Sequence, residues 1–412
     1  MTSEPESLFG GPIWTKAASR YRKELRRDLE SAVLPLVAQA EESRSFPREA
    51  LEFLGARDHF RRRWRHPGPH GDLGHATIFS NELGRLLAGG LAAGISVHAD
   101  SALTVLRAAP ASSDFVRQLS DGALAGSRVL CIGISEPSSG SDPSRFRTRA
   151  ARQPDGSWVI QGRKKFISLS KTADYALVLA RTGDAAHNVA FFAVPNGPGG
   201  YVIRRELGKH GTHSVETCEF DLDAVRLTPD HLLVADGAAL AALTRALNAE
   251  RLSVCSQLVG ALEACLEITR GYLGARPARS GTLWNFQALR HRFADLLAEH
   301  KVLQDSVTVT ALAAQEGRAG QQAVAALKLA VAPRVERAIS ETMQLLGGVG
   351  YLDELPVERA LRDVRLARIA AGTDDVMREI VATRVLPDEQ YRRLISIGEE
   401  GEPIVNRGDP PQ

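Results

Sequence analysis

The sequence predicts a mainly helical protein with a β-rich middle region, because the spacing of apolar residues changes twice along its 412 residues. From about 16 to 127 the chain is rich in Ala, Leu, Arg and Glu, with apolar residues at helical spacing. From about 128 to 228, β-branched and aromatic residues are interrupted by turn-forming Gly, Pro and Asp. Helical spacing returns from about 238. We therefore expect helical domains at 1–127 and 235–390, a β-rich domain at 128–234 and a polar tail at 391–412.

The individual elements follow from the same patterns. In the first zone, helical spacing is clearest at 22–40 and 78–87. In the middle zone, β-branched and aromatic runs predict strands at 157–160, 175–179, 189–194 and 201–203. Turn chemistry separates them, as in Gln153-Pro-Asp-Gly and Pro195-Asn-Gly-Pro-Gly-Gly. In the last zone, apolar steps of three and four predict a long helix through 252–266, followed by helices at about 285–317 and 320–346.

Composition and charge exclude several classes of protein. With 51 Lys and Arg against 49 Asp and Glu, the net charge is only +2, which argues against a nucleic-acid-binding protein. No uncharged apolar run approaches the roughly 18 residues of a membrane-spanning helix, and the N-terminal pattern is not that of a signal peptide. Four cysteines without a C-x-x-C pair predict reduced packing residues in a cytoplasmic enzyme, with no metal site: Cys131, Cys218, Cys255 and Cys265.

Four segments carry residue types suited to a planar, polar ligand. Small hydroxyl residues and Gly in Ile134-Ser-Glu-Pro-Ser-Ser-Gly-Ser-Asp142 allow close approach of N–H and O–H groups. Gly162-Arg-Lys-Lys-Phe-Ile-Ser168 offers an aromatic side chain that could cover a ring, and Gln344-Leu-Leu-Gly-Gly-Val-Gly350 offers backbone that could meet a pyrophosphate. The fourth combines Leu361-Arg-Asp-Val-Arg365 with Ile369-Ala-Ala-Gly-Thr373. Taken singly, such segments are more typical of ordinary loops, turns and caps.

In this order and with these separations, the four segments resemble the acyl-CoA dehydrogenase family over essentially the whole chain. That family carries T-E-P-x-x-G-S-D, G-x-K-x-W-I-T, Q-x-x-G-G-x-G, and R-D followed by G-T. Arg276 and Gln287 also keep the family's Arg-to-Gln spacing. The resemblance implies an acyl-CoA dehydrogenase-like three-domain fold, with N-terminal helices, a middle β-barrel and a C-terminal four-helix bundle. It also implies FAD between barrel and bundle, in a homodimer or homotetramer whose neighbouring subunit holds the adenine half.

The same resemblance assigns residues to the flavin half of FAD. Ser135 and Ser141 would face the flavin and the substrate. Phe166, Ile167 and Ser168 would line the isoalloxazine ring. Phe166 replaces the family's Trp, which affects the details of this contact.

Further residues would contact the remainder of the cofactor. The pyrophosphate and adenosine would be held across the dimer by Arg276, Gln287, Gln344, Gly347, Gly348 and Gly350. Thr373 and Asp375 would also touch FAD. Here the chain departs from the family again, since Arg279-Ser280 replaces an aromatic residue followed by Gly.

The identity of the base decides the reaction, because α,β-dehydrogenation of a thioester needs a carboxylate near Cα and donors on the thioester oxygen. Many family members place that Glu directly before G-T, where this chain has Ala371. The isovaleryl-CoA and long-chain types supply it instead from the long helix, at the Glu of L-x-x-E-R, and this chain has Leu247-Asn-Ala-Glu250-Arg251. By this resemblance Glu250 is the base, while the N–H of Ala371 and a flavin ribityl hydroxyl hold the carbonyl. The alternative is a surface Glu250 paired with Arg251 or Arg245.

Other residues are candidates for contact with the substrate. Ser141, Asn248, Arg251 and His98 are expected near the acyl thioester, although a satisfied core histidine is the more common role for a residue such as His98. The run Arg61-Arg-Arg-Trp-Arg65 stands where relatives carry uncharged residues. It is either a solvated basic loop or an electrostatic dock for CoA phosphates or an acidic acyl-carrier protein.

Together these features predict FAD-dependent α,β-dehydrogenation of an acyl-CoA or an acyl-carrier-protein thioester. Electrons would pass to an electron-transfer flavoprotein or to O₂, and neither a nucleic acid nor a membrane is expected as a partner. The isovaleryl-like base suggests a short or branched acyl chain. Two alternatives stay open. One is a flavin-dependent monooxygenase or oxidase acting on a non-thioester substrate, which the missing Glu before Gly372 would favour. The other is a non-catalytic protein that binds FAD or a partner.

Overall fold

The N-terminal part of the chain is helical, as the sequence predicts. The computed structural model describes residues 16–111, 113–140, 145–185, 187–279 and 281–383, together with two short strands between 395 and 405. The first helices are α1 (Lys16–Asp28), α2 (Val37–Ser43), α3 (Arg48–Ala56), α4 (His59–Arg63), α5 (Leu73–Arg85), α6 (Gly89–Ser96), α7 (Leu103–Leu106) and α8 (Asp114–Leu124). Short π-helical turns occur at Leu29–Val33 and Val97–Ala102.

The middle part forms one eight-stranded sheet. Its strands are β1 (Leu130–Gly133), β2 (Arg149–Arg152), β3 (Trp158–Ser168), β4 (Tyr175–Arg181), β5 (Val189–Pro195), β6 (Val202–Glu206), β7 (Thr217–Leu227) and β8 (Leu232–Val234). Their order is β6-β7-β3-β2-β4-β5-β8, with β1 parallel to β4. The predicted strands are confirmed in β3 to β6. Among the described strand pairs, the edge strands β6 and β8 do not pair with each other, so the structure confirms a strand-rich middle region without a closed barrel.

The C-terminal part is helical again. Its helices are α9 (Ala239–Ala275), α10 (Gln287–Gln315), α11 (Gln321–Leu346), α12 (Gly348–Tyr351), α13 (Val357–Val364) and α14 (Asp374–Ala382). Two short ribbons pair β9 (Pro277–Ala278) with β10 (Gly281–Thr282), and β11 (Ile395–Ile397) with β12 (Pro403–Val405). The helices predicted at 285–317 and 320–346 are confirmed as α10 and α11.

The long helix α9 lies at the centre of the C-terminal part and packs against α5, α10 and α11. Its 37 residues are long and apolar enough to cross a membrane, which the sequence pattern did not suggest. Inside the structure, however, 72% of its most apolar window is buried. Such burial is typical of a core helix, so length and composition are weak evidence for a membrane span here.

Asp363 on α13 ties the three parts of the chain together. One carboxylate oxygen accepts the N–H of Gly89 at the start of α6, at 2.9 Å, and the other accepts the N–H of Thr212 between β6 and β7. Burial raises the pKa of Asp363 to about 6. Because Asp363 belongs to the R-D motif, that motif fixes the position of the C-terminal helices against the sheet and the N-terminal helices.

Candidate active site

A deep cavity opens where the three parts meet, between α5, α6, α9 and α13. Its volume is about 820 Å³, including its open mouth. Most of the lining is small and apolar, with residues such as Leu87, Ala92 and Val254, so the interior suits an alkyl chain. The polar residues that line it are Ser96, Ser168, Thr212, Glu250, Gln257 and Asp363.

Glu250 lines this cavity from α9. Its carboxylate accepts a hydrogen bond of 2.9 Å from Ser101 Oγ, and it forms no ion pair with any residue that the structure describes. Burial raises the pKa of Glu250, while the bond from Ser101 and the charge of Arg251 oppose that rise. A solvated surface Glu does not fit this position. A carboxyl whose pKa is raised toward neutrality is suited to general-base catalysis.

The loop before α14 is tied to α9 and α11 by two cationic side chains. Arg251 Nε donates to the carbonyl of Ala371 at 2.9 Å, and Lys328 Nζ donates to the carbonyl of Gly372 at 2.7 Å. Ala371 has a φ of 54°, a left-handed conformation that is strained for a residue with a side chain and is often found at functional sites. Within the described part of the chain, the N–H of Ala371 has no acceptor. Ala371 itself does not line the cavity, but its neighbour Ala370 does, so this N–H stays a candidate donor to a thioester oxygen.

Arg251 and Asn248 do not line the cavity, in contrast to the substrate contact expected of them. Arg251 is buried, and its guanidinium bonds both Ala371 and the side-chain oxygen of Asn248, which lies 3.1 Å from Nη1. Arg251 therefore holds the loop and Asn248 holds Arg251, while their contact with the substrate stays a prediction. Lys328 also holds the loop, from α11, and the sequence offered no signal for it because a Lys on a helix is usually solvated.

The first two motifs are joined by a buried ion pair. Lys164 Nζ lies 2.8 Å from a carboxylate oxygen of Glu136, and neither side chain is appreciably exposed. Lys164 also donates to the carbonyl of Ile134 at 3.0 Å, and the N–H of Lys165 donates to the carbonyl of Ser135 at 2.9 Å. The Ser-Glu-Pro loop is thus fixed against β3. Ser141 lies outside the described residues.

The residues expected beside the flavin ring lie at the end of β3. Ser168 lines the cavity, whereas the side chain of Ile167 is buried in the core. Phe166 has a φ of 62° and is 61% exposed. Ile369, next to the cavity-lining Ala370, is 53% exposed. Two large apolar side chains are thus exposed close in sequence to the cavity-lining Ser168 and Ala370, which fits a flat aromatic ligand such as the isoalloxazine ring of FAD.

The residues expected around the pyrophosphate and adenosine lie outside the cavity. Most of them are exposed, namely Arg276, Gln287, Gln344, Gly347 and Gly348, while Gly350 is buried. Large apolar side chains near them are exposed as well, among them Trp284, Phe286 and Tyr351. Thr373 accepts the N–H of Val376 at the start of α14, and Asp375 is exposed and paired with Arg378. The residues of this set therefore lie mostly at the surface of the chain, apart from the cavity.

His98 is a satisfied core histidine rather than a substrate contact. It is fully buried, its Nε2 lies 3.0 Å from the carbonyl of Ala123, and its Nδ1 accepts the N–H of Leu130 at 3.1 Å. Burial lowers its pKa to about 4, so the ring is neutral at physiological pH. Both nitrogens are used by the backbone, which leaves none for a ligand.

The arginine run is neither a solvated loop nor a free basic patch. Arg63 is buried, and its guanidinium lies 2.6 Å from the carboxylate of Asp100. The other three arginines are partly exposed, and each has an acidic neighbour: Arg61 with Asp58 and Asp121, Arg62 with Glu24, and Arg65 with Asp58. Each of these three arginines thus has an acidic neighbour, and a role of the run in docking phosphates or an acidic carrier protein stays a prediction.

Fold and cavity together define the acyl-CoA dehydrogenase class, and comparisons with known proteins agree. Two family models match, the acyl-CoA dehydrogenase middle domain at residues 131–225 and the C-terminal domain at residues 237–386. The acyl-acyl-carrier-protein dehydrogenase MbtN of Mycolicibacterium paratuberculosis is 38% identical over 92% of this chain and 97% of its own length. The mitochondrial long-chain specific acyl-CoA dehydrogenase of Sus scrofa is 29% identical, over 92% of this chain and 88% of its own length.

Solved structures share the fold. Butyryl-CoA dehydrogenase from Megasphaera elsdenii superimposes with a TM-score of 0.84 at 23% identity, over 91% of this chain and 99% of that chain. The chain belongs to the acyl-CoA dehydrogenase family.

Proposed function

We propose that the protein catalyses FAD-dependent α,β-dehydrogenation of an acyl thioester. The observation that carries this proposal is Glu250, a carboxyl with a raised pKa inside an apolar cavity. The proton on Cα passes to Glu250, and the electron pair left behind forms the Cα–Cβ double bond as hydride leaves Cβ. FAD, when bound, supplies the acceptor for that hydride.

The loop before α14 stabilises the charge that develops on the thioester oxygen. The N–H of Ala371 donates to this oxygen, and the bond from Arg251 to the carbonyl of the same residue helps hold the backbone there in its left-handed conformation. Lys328 holds the next carbonyl, at Gly372. These cations act on the position of the N–H and need no direct contact with the substrate.

The cavity favours a long acyl chain over the short or branched one that the isovaleryl-like base suggests. Its lining follows α9 from Glu250 to Ala261, a separation of eleven positions that advances about 16 Å at helical rise. An extended chain advances about 1.2 Å per bond, so this depth accepts about a dozen bonds. The relative named for long-chain acyl-CoA substrates supports the same substrate size, and the relative named for acyl-carrier-protein substrates leaves both carriers as proposals.

A monooxygenase or oxidase acting on a non-thioester substrate is not favoured. Its support was the missing Glu before Gly372, and Glu250 supplies a carboxylate to the cavity from another helix. The same residue argues against a purely FAD-binding protein, because a carboxyl that lines an apolar cavity without an ion-pair partner among the described residues costs free energy that a chemical role would explain.

The assembly, the acceptor and the location belong to this proposal too. The exposed residues of the pyrophosphate and adenosine set support a homodimer or homotetramer in which each cofactor is completed by a neighbouring subunit. Electrons leave to an electron-transfer flavoprotein or to O₂, in the cytoplasm.

Anaerobic mixing of the FAD-loaded protein with acyl thioesters tests the proposal. Straight chains of about 4 to 16 carbons and a branched short chain are presented both on CoA and on a carrier protein. We expect the visible flavin band to bleach with the long chains on at least one carrier. Bleaching by the branched short chain alone would contradict the assignment of a long chain. No bleaching by any thioester would contradict the proposed reaction.

A further inference from the structure

Arg63 and Asp100 form a buried ion pair close to Glu250, and the proposed reaction gives this pair no role. Arg63 Nη1 lies 2.6 Å from Oδ1 of Asp100, and both side chains are buried. Arg63 Nε also donates to the carbonyl of His70 at 3.1 Å. Two apolar residues of similar volume often serve stability as well as a buried ion pair does. Stability alone therefore explains this pair poorly.

A π-helical turn brings this pair to Glu250. The turn spans Val97–Ala102 and contains both Asp100 and Ser101. Ser101 Oγ donates to the Glu250 carboxylate at 2.9 Å, while the adjacent Asp100 bonds Arg63. Such turns are rare in helices and frequent at functional sites, because the extra residue changes the direction of neighbouring side chains.

A cluster of hydrogen-bonded hydroxyl groups next to this turn reaches the cavity wall. Ser253 Oγ lies 2.9 Å from Ser96 Oγ and 2.8 Å from Ser80 Oγ. The side-chain amide of Gln257 donates to Ser96, and Ser96 and Gln257 both line the cavity. Burial raises the pKa of Asp100, and Arg63 together with the hydroxyls of Ser253 and Ser96 opposes that rise.

Among the charged groups around Glu250, Asp100 shifts the pKa of Glu250 in the opposite direction to the two cations. Arg251 on the same helix and Lys328 on α11 lower the pKa of Glu250, whereas Asp100 raises it. Asp363 on α13 lines the same cavity. Helices α6 and α7 carry no titratable side chain, and the α5 arginine that reaches α9 pairs with the far half of that helix.

We propose that Asp100 and Arg63 are positioning residues for Glu250, with Asp100 strengthening it as a base and Arg63 holding Asp100 in place as a carboxylate. The inference rests on the proposed function of Glu250. A negative charge near a carboxylate increases its affinity for a proton, and the guanidinium of Arg63 stays charged at any working pH. The buried member of the arginine run thereby gains a role that its sequence neighbourhood did not suggest.

The pH dependence of anaerobic flavin reduction tests this role in Asp100→Asn. We expect its acid limb to move to lower pH by about one unit, a tenfold loss of proton affinity. Asp28→Asn is the matched control, because Asp28 is a buried carboxylate bonded to Arg57 and His59 on the N-terminal helices. Its acid limb should stay in place. The double variant Arg63→Met/Asp100→Asn removes both charges and should return the limb toward the wild-type position.

A readout without turnover is the pH dependence of stability. The difference in free energy of unfolding between each protein and its Glu250→Gln derivative follows the protonation of Glu250 alone. The pKa of Glu250 is higher in the folded protein than in the unfolded chain. Protonated Glu250 therefore contributes its full stabilisation below the pKa of the unfolded chain, and this stabilisation is lost as pH rises through the pKa of the folded protein. We expect this loss to occur at lower pH in the Asp100→Asn background.

The outcomes separate the two proposals. If Glu250→Gln retains full turnover, the base assignment and the proposal for Asp100 both fail. If Glu250→Gln loses turnover while folded Asp100→Asn keeps the wild-type acid limb and the wild-type stability profile, only the proposal for Asp100 fails.

Discussion

Lys164→Met tests the buried junction between the Ser-Glu-Pro loop and β3. The ammonium group of Lys164 is fully buried, 2.8 Å from Glu136 and 3.0 Å from the carbonyl of Ile134. Met has a similar length and keeps the apolar part of the side chain. The substitution therefore removes the charge and its two hydrogen bonds with little change in volume.

The size of the effect follows from what remains around Glu136. Removing one partner of a buried ion pair typically costs about 3–5 kcal/mol. Glu136 still accepts the N–H of Arg147 at 2.6 Å and of Thr148 at 3.1 Å, so its charge stays partly compensated. We therefore expect Lys164→Met to lower the free energy of unfolding by about 3 kcal/mol, the lower end of that range. In the double variant Glu136→Gln/Lys164→Met no unpaired charge is left, and at least about 1 kcal/mol should return.

Urea unfolding followed by circular dichroism measures these differences, and FAD content measures the consequence for the site. Because the junction holds the loop that contains Ser135 against the strand that contains Phe166, Lys164→Met should retain less FAD than the wild type. The reasoning is refuted if Lys164→Met unfolds within about 0.5 kcal/mol of the wild type, the range of an ordinary surface substitution. A double variant no more stable than Lys164→Met would refute it as well.

Three further predictions concern the loop before α14 and the R-D motif. Ala371→Gly removes a side chain from a left-handed residue, so thermal unfolding should show about 1 kcal/mol of added stability while stopped-flow flavin reduction continues through the unchanged N–H. Arg251→Lys cannot bond both Ala371 and Asn248, so flavin reduction should slow about tenfold with little change in substrate affinity. The pKa of Asp363 rises from 3.8 to about 6 on folding. The stabilisation that protonated Asp363 gives to the folded protein is therefore complete below about pH 4 and is lost as pH rises through 6. The difference in free energy of unfolding between wild type and Asp363→Asn should fall by about 3 kcal/mol across that window.

Local patterns in the sequence were sufficient for the long C-terminal helices, and a motif shared with the family identified the candidate base. Apolar residues at steps of three and four predicted α10 and α11 to within two residues at each end. The L-x-x-E-R motif pointed to Glu250, and the structure places this residue in the cavity. The helices depend on residues that are close together in the chain, where spacing determines which side of a helix they share, whereas the choice of Glu250 depended on the resemblance to the family.

Long-range partners could not be predicted in the same way. A Lys on a helix and an Arg in a basic run have the same local texture whether they are solvated or buried. Lys328 gains its role from a carbonyl 44 residues away, and Arg63 from a carboxylate 37 residues away. The strand β7 was missed as well, since its charged residues Asp221, Asp223 and Arg226 interrupt the apolar pattern that identifies a strand.

The central claim, that Glu250 is the base, is tested most directly by the rate of anaerobic flavin reduction in Glu250→Gln. The variant should bind FAD and a long acyl thioester, yet reduce the flavin about 10²–10⁴-fold more slowly than the wild type, the usual contribution of a general base. Glu267→Gln is the matched control, because Glu267 lies on the same helix, is exposed and pairs with Arg85. Its rate should equal that of the wild type. Flavin reduction by Glu250→Gln at the wild-type rate would contradict the account.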